Sequence, residues 1–308
     1  MMERLLLINN ISQLRGKSMN IVCIGGGHGL AQVLSAIKPV CHELTAIVAT
    51  TDNGGSTGKI RQSHDCIALG DIRRCCVQLA DNFEITKEIY EHRFTSGEFK
   101  GHCLGNLVLL NMLQESHSAT AAIAKFNKLL DNSETVLPMT ESPADLVAVL
   151  SNGDEVFGEC AIDALNSLPD KVYLSNKVSA SPGCVEAILN ADLVIIGPGS
   201  IISSVMPALL IDDILQAVEK TSACRIFIEN TAEENSVMKH TQSAGIDWLQ
   251  EQLGSKIYDL SISPSAISEI LASDSHFKNH SNHLHDISEL NHIFCTFLKS
   301  SIEESPLV

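Results

Sequence analysis

The chain is poor in aromatics: they make up 4% of its 308 residues, with a single tryptophan. A core built on stacked rings is excluded, and the 44% hydrophobic content must pack as aliphatic side chains, which suits a parallel sheet covered by helices. Positive charge is also scarce. Lys and Arg total 21 against 37 Asp and Glu, a formal net charge of −16. Such a surface repels nucleic acid and anionic membranes, so an anionic ligand must be held locally by backbone N–H groups and a few chosen cations. No C-x-x-C pair occurs among the ten cysteines. Several of them lie in apolar runs, where a free thiol packs as a small hydrophobe, and a disulfide framework is not expected at this length. No apolar run approaches the ~18 residues of a membrane span. The short run Leu5–Ile8 lacks the length and cleavage site of a signal peptide. Together these features predict a cytoplasmic protein.

What is present is a repeated strand–glycine loop–helix pattern. Residues 1–19 read as an N-terminal leader. Residues 20–24 form an aliphatic strand that stops at Gly25-Gly26-Gly27, and a helix is expected over about 28–38. A second strand, 43–51, runs into a loop from Asp52 to Gly58. Residues 192–196 make a further strand, broken by Gly197-Pro198-Gly199-Ser200 and followed by a long helix over 203–220. Helices are also predicted at 71–80, 84–93, 103–114, 118–130, 182–190, 243–253 and 286–299, and strands at 225–229 and 257–262. Short strands at 134–139, 145–150 and 155–160, with the hairpin signal Asn152-Gly153, read as a small β-insertion spanning about 134–175. The expected architecture is α/β: a three-layer, doubly wound, Rossmann-like, mostly parallel sheet with a small β-hairpin insertion. Residues 20–265 form the ligand-binding domain, and 266–308 a C-terminal helical tail packed on it.

In an open α/β sheet, ligands sit outside the carboxyl ends of the strands. Glycine loops let the backbone approach, and helix N-termini add unpaired N–H groups, so phosphate is the natural occupant. One such loop can be a plain packing turn. Three at one sheet edge point to a site. The first loop fails the dinucleotide fingerprint, because Leu30 and Gln32 stand where the third glycine would fall. It also fails the Walker A pattern, because no G-K-[ST] closes it.

Around the loops lie Asp52, Asn53, Ser56, Thr57, Lys59, Arg61, Asp71, Arg73, Arg74, His102 and Asn106. Arg61 and Arg73 are candidates to clamp phosphate bidentately. Asp52 is a candidate for Mg²⁺ or for a sugar hydroxyl. Asp71 opens a helix, so it is either a ligand contact or an N-cap. His28 is either ligand-facing or a turn residue. His102 and Asn106 share i, i+4 spacing, which would align them, with a structural cap as the alternative role for His102. A cluster of His276, His280, His283 and His285 near Asp274 and Asp286 matches no standard zinc spacing and reads as a solvated loop.

Five motifs occur in order: Gly25-Gly26-Gly27-His28-Gly29-Leu30; Thr51-Asp52-Asn53-Gly54-Gly55-Ser56-Thr57-Gly58; Gly70-Asp71-Ile72-Arg73; Gly101-His102-x-x-Gly105-Asn106-Leu107; and Ile196-Gly197-Pro198-Gly199-Ser200. Over about residues 20–265 this set resembles the gluconeogenesis factor family (YvcK-like), a branch of the superfamily that includes the phospholactate transferase CofD. The resemblance implies a Rossmann-like fold with the ligand over the first, second and Gly-Pro-Gly-Ser loops. It also implies UDP-sugar binding without turnover, no required cofactor, and a link between carbon metabolism and cell shape or envelope. The alternatives are a Mg²⁺-assisted phospholactate-type transferase and an NAD(P)-binding oxidoreductase. A homodimer and a regulatory protein partner are compatible with the binding reading.

Two departures stand out. Asn53 replaces the usual second acid, which weakens a two-acid Mg²⁺ site, and Arg74 replaces the usual Asn. The segment 230–235 also fits the family pattern poorly. The expected ligand contacts are Gly25, Gly26, Gly27, His28, Gly29, Asp52, Asn53, Gly54, Gly55, Ser56, Arg61, Asp71, Arg73, His102, Asn106, Gly197, Pro198, Gly199 and Ser200.

Overall fold

A computed structural model describes residues 19–230 and 242–263, together with 290, 291 and 294. Residues 1–18 of the expected leader, 231–235 of the segment 230–235, the histidine cluster and most of the helix expected at 286–299 lie outside the described residues; Met19, placed in the leader, is buried in the core instead.

Six parallel strands form the central sheet in the order β3-β2-β1-β7-β8-β9. They are β1 (Asn20–Gly25), β2 (Glu43–Val48), β3 (Thr135–Pro138), β7 (Leu193–Ile196), β8 (Cys224–Ile228) and β9 (Leu260–Ile262). Counted as six successive strands, the order is 3-2-1-4-5-6, that of the dinucleotide-binding doubly wound fold. The chain reverses direction across the sheet between β1 and β7, which pair directly.

Alternation along each strand sorts the core into two layers. Ile21, Cys23, Ala46, Val48, Ile195 and Ile226 face one cluster. Val22, Ile24, Ile47, Val194, Ile196 and Phe227 face the other. This period of two is what lets aliphatic runs bury both faces of a parallel sheet. The first layer is covered by α1 (Gly27–Ile37), α3 (Gly70–Gln78) and α6 (Ala119–Leu129), with Phe126 fully buried. Between these lie α2 (Gly55–Arg61), α4 (Phe83–Tyr90) and α5 (Leu104–Gln114). Leu290 and Phe294 bury in the same layer, and Asn291 Nδ2 donates to the Ala36 carbonyl at 2.6 Å. The second layer is covered by α8 (Cys184–Leu189), α9 (Met206–Leu209), α10 (Asp212–Lys220) and α11 (Gln242–Leu253).

The structure corrects four sequence expectations. Residues 134–139 do not belong to the insertion: β3 pairs with β2 in the main sheet. The insertion is a three-stranded antiparallel sheet, β5-β4-β6, of β4 (Leu146–Val149), β5 (Glu155–Phe157) and β6 (Lys171–Leu174). The Asn152-Gly153 turn joins β4 to β5, with Gly153 at φ +87°, but β6 had no clear periodic signal. The strand expected over 155–160 stops at Phe157. Gly158, at φ +86°, turns the chain into the short helix α7 (Glu159–Asp163). The helix expected over 203–220 is broken: a π-helical turn, Ile201–Val205, leads into α9, and α10 follows at 82°. Among the described residues no single helix is long and apolar enough to cross a membrane, and this bent pair is a core element.

Candidate functional site

The crevice at the carboxyl ends of β1 and β7 is made by two loops in contact. A Cβ on Gly29 would stand 2.6 Å from the Pro198 carbonyl oxygen, so only glycine lets the first turn of α1 lie on the Gly197–Ser200 loop. Gly197, at φ +82°, carries the loop past the Ile228 carbonyl, which a Cβ would meet at 2.7 Å. Ser200 Oγ accepts from Ser203 N–H at 3.2 Å and caps the π-helical turn. The Gly199 and Ser200 N–H groups meet no acceptor among the described residues.

Asp71 is an N-cap, but of another helix. Its Oδ2 accepts from Gly27 N–H at 2.7 Å, at the start of α1, and its Oδ1 is paired with Arg74. This brings the Gly70-Asp71-Ile72-Arg73 motif onto the first glycine turn. His28 is exposed beside it. Desolvation, then the Arg74 cation, hold its pKa below the usual histidine value.

Asp52 follows β2. Its Oδ1 accepts from Gly54 N–H at 2.7 Å, and burial nonetheless raises its pKa, with Asp71 adding to the effect. Asn53 is bound to the insertion: its Oδ1 accepts from Cys160 N–H at 3.0 Å, capping α7. Its amide also fills the space where a side chain at Gly158 would sit. Through this contact the insertion delivers Glu159, Cys160 and Asp163 to the crevice. Glu159 Oε2 accepts from Thr51 Oγ1 at 3.3 Å. Burial first, then Asp71, Asp52 and Asp163, push its pKa up to about 9. Asp163 bonds to the Ser203 side chain, and burial raises its pKa too. Among the described residues no ion pair reaches Asp52 or Glu159.

Several predicted contacts turn into the protein instead. Arg61 donates to Asp145 Oδ1 at 2.8 Å and to the carbonyls of Asp52, Ala144, Cys66 and Thr51 at 3.1 to 3.4 Å. It staples the second loop to the insertion and is not placed to clamp phosphate. Arg73 is 4% exposed, donating to Asn106 Oδ1 at 2.9 Å and Cys103 Sγ at 3.0 Å. Asn106 Nδ2 reaches Thr57 Oγ1 at 3.4 Å, and Ser56 Oγ accepts from Cys103 N–H at 3.0 Å. These residues fasten α2, α3 and α5 together. His102 precedes α5, so helical spacing does not align it with Asn106, and its Nδ1 is buried without a partner. Lys59 donates to the Lys100 carbonyl at 2.9 Å.

Among the described residues no three His, Cys, Asp or Glu side chains converge as a cation site, and Asn53 is committed to α7. Glu159, Cys160 and Asp163 were missed in the sequence. Only the glycine at 158 marked them, and a single glycine does not say where the following turn will dock.

A family model described as "2-phospho-L-lactate transferase CofD" matches residues 21–302. The chain is 40% identical over 257 residues to a Pasteurella multocida protein named "Putative gluconeogenesis factor", covering 82% of this chain and 83% of the relative. It is 35% identical over 212 residues to the "Gluconeogenesis factor" of Listeria innocua, covering 68% and 66%. A Bacillus halodurans crystal structure, titled a member of the UPF0052 family, superposes with a TM-score of 0.79 at 27% identity, covering 90% of this chain and 98% of that one. The motif order, the 3-2-1-4-5-6 sheet and these matches place the chain in the CofD family, among relatives that carry the gluconeogenesis factor name.

Proposed function

We propose that this protein is a cytoplasmic nucleotide-sugar-binding factor, with a UDP-sugar as ligand, that links carbon metabolism to control of the cell envelope and cell shape. The observation behind the reading is the contact of two glycine loops at the switch point between β1 and β7, where the Gly199 and Ser200 amides meet no acceptor among the described residues. Those amides take the diphosphate, with His28 and Arg74 at the side. The acids Asp52 and Glu159 accept hydrogen bonds from ribose or sugar hydroxyls, which suits carboxyls that no ion pair reaches among the described residues. Binding needs no cofactor in this reading. Thermal shift against UDP-N-acetylglucosamine, UDP-glucose, GDP and NADH tests it. A rise in melting temperature with the uridine ligands is expected, and the absence of any uridine-nucleotide shift removes the reading.

The family model favours a second reading, a phospholactate-type transferase. Mass spectrometry of a reaction containing Mg²⁺ and nucleotide-activated phospholactate decides it, and no product ends it. The diversion of Asn53 to α7 supports binding over metal-assisted transfer.

A further inference from the structure

We infer that Asp71 is a specificity determinant that closes the first glycine turn to phosphate, so that a nucleotide-sugar is accepted on the Gly197–Ser200 loop while dinucleotides are refused. The inference rests on the ligand reading just given.

In folds with this strand order a pyrophosphate rests on the N-terminus of the first helix, drawn by unpaired N–H groups and the helix dipole. Here that place is already held by an anion of the chain itself. Gly27 N–H donates to Asp71 Oδ2 at 2.7 Å, and a Cβ on Gly26 would lie 2.9 Å from the same oxygen, so the carboxylate is pressed against the turn. The Asp71 side chain is 15% exposed and its partner Arg74 is 18% exposed. A phosphate arriving at this turn would meet a like charge at contact distance. It would also find one of the turn's donors taken and the positive end of the helix dipole compensated. The missing third glycine agrees with this: Leu30 is fully buried beneath the turn, with no provision for the close approach a dinucleotide needs. One loop away the conditions are reversed, because the Gly199 and Ser200 amides have no acceptor among the described residues.

The experiment is calorimetric titration of inorganic pyrophosphate, NADH and UDP-N-acetylglucosamine into the unmodified protein, Asp71→Asn and Asp71→Ser. Melting curves identify the folded variants. Serine supplies a second uncharged variant should the asparagine variant not fold. The expected result is a gain of about tenfold or more in pyrophosphate affinity in the variants, with NADH binding appearing and UDP-N-acetylglucosamine affinity changing by less than about threefold. Unchanged pyrophosphate affinity overturns the inference. So does a large loss of UDP-N-acetylglucosamine affinity, which would make Asp71 a ligand contact. If the unmodified protein binds no uridine ligand, the functional reading fails, and the pyrophosphate titration still judges Asp71.

Discussion

Arg73 reaches Asn106 through a 2.9 Å hydrogen bond from Nη1 to Oδ1, between residues that are 4% and 1% exposed. Both belong to motifs that read as ligand-binding in sequence, yet here they bind each other. Burial lowers the Arg73 pKa, and the nearest carboxylate, Glu91, stands at 3.8 Å.

Arg73→Ala is therefore expected to act on stability. Losing a buried cation that holds three helices should cost about 2–4 kcal/mol in denaturant unfolding. Arg74→Ala should leave stability nearly intact and weaken UDP-sugar binding about fivefold or more. Comparing unfolding midpoints with dissociation constants for the two variants checks the division. A folded Arg73→Ala protein with normal stability and lost affinity would reverse the assignment.

Arg61→Ala should loosen the insertion. The guanidinium serves carbonyls on three segments and the half-exposed Asp145, and its removal leaves those acceptors unmet at a cost of about 2–3 kcal/mol. Hydrogen exchange should quicken in β4 and β6 before it does in β1. Arg61→Lys should recover only part of the loss, since an ammonium cannot reproduce the planar fork.

Glu159 gives the stability curve a sign. Its pKa rises from an ordinary 4.5 to about 9 on folding, so the folded state holds a proton that the unfolded chain has released. Stability from this group is present below about pH 4.5 and is lost as pH rises toward 9. Glu159→Gln should flatten that decline and raise the melting temperature at pH 8 while changing it little at pH 4. Equal melting temperatures at pH 8 would show that the carboxyl is not buried among Asp52, Asp71 and Asp163.

Cys160 is the exposed thiol among the described cysteines. Desolvation and then the carboxylates of Asp52, Glu159 and Asp163 raise its pKa. In a Cys295→Ser background it should react with a disulfide reagent several-fold more slowly than a free thiol at pH 8, because the thiolate is the reactive form. A saturating UDP-sugar should slow it further if α7 borders the ligand. Labelling indifferent to ligand would remove α7 from the site.

The motifs located the crevice because glycine is a backbone statement. Gly29 against Pro198 and Gly197 against Ile228 are close approaches that any side chain would block. Side-chain direction was not legible. Arg61 and Arg73 stand as near the glycine loops in sequence as Arg74 does, but only helix packing turns the first two inward. Glu159, more than a hundred residues from Asp52, gave no local signal.

The sequence by itself determined the layered α/β architecture and the edge at which the loops gather, since aliphatic runs of period two and glycine stops are local properties of the chain. The tertiary structure decided which charges face that edge. It set Asp71 on the Gly27 amide, drew Arg61 and Arg73 into the protein, and used Asn53 to bring Glu159 beside Thr51. A polar side chain goes where its partners are, and in this fold those partners come from distant segments of the chain.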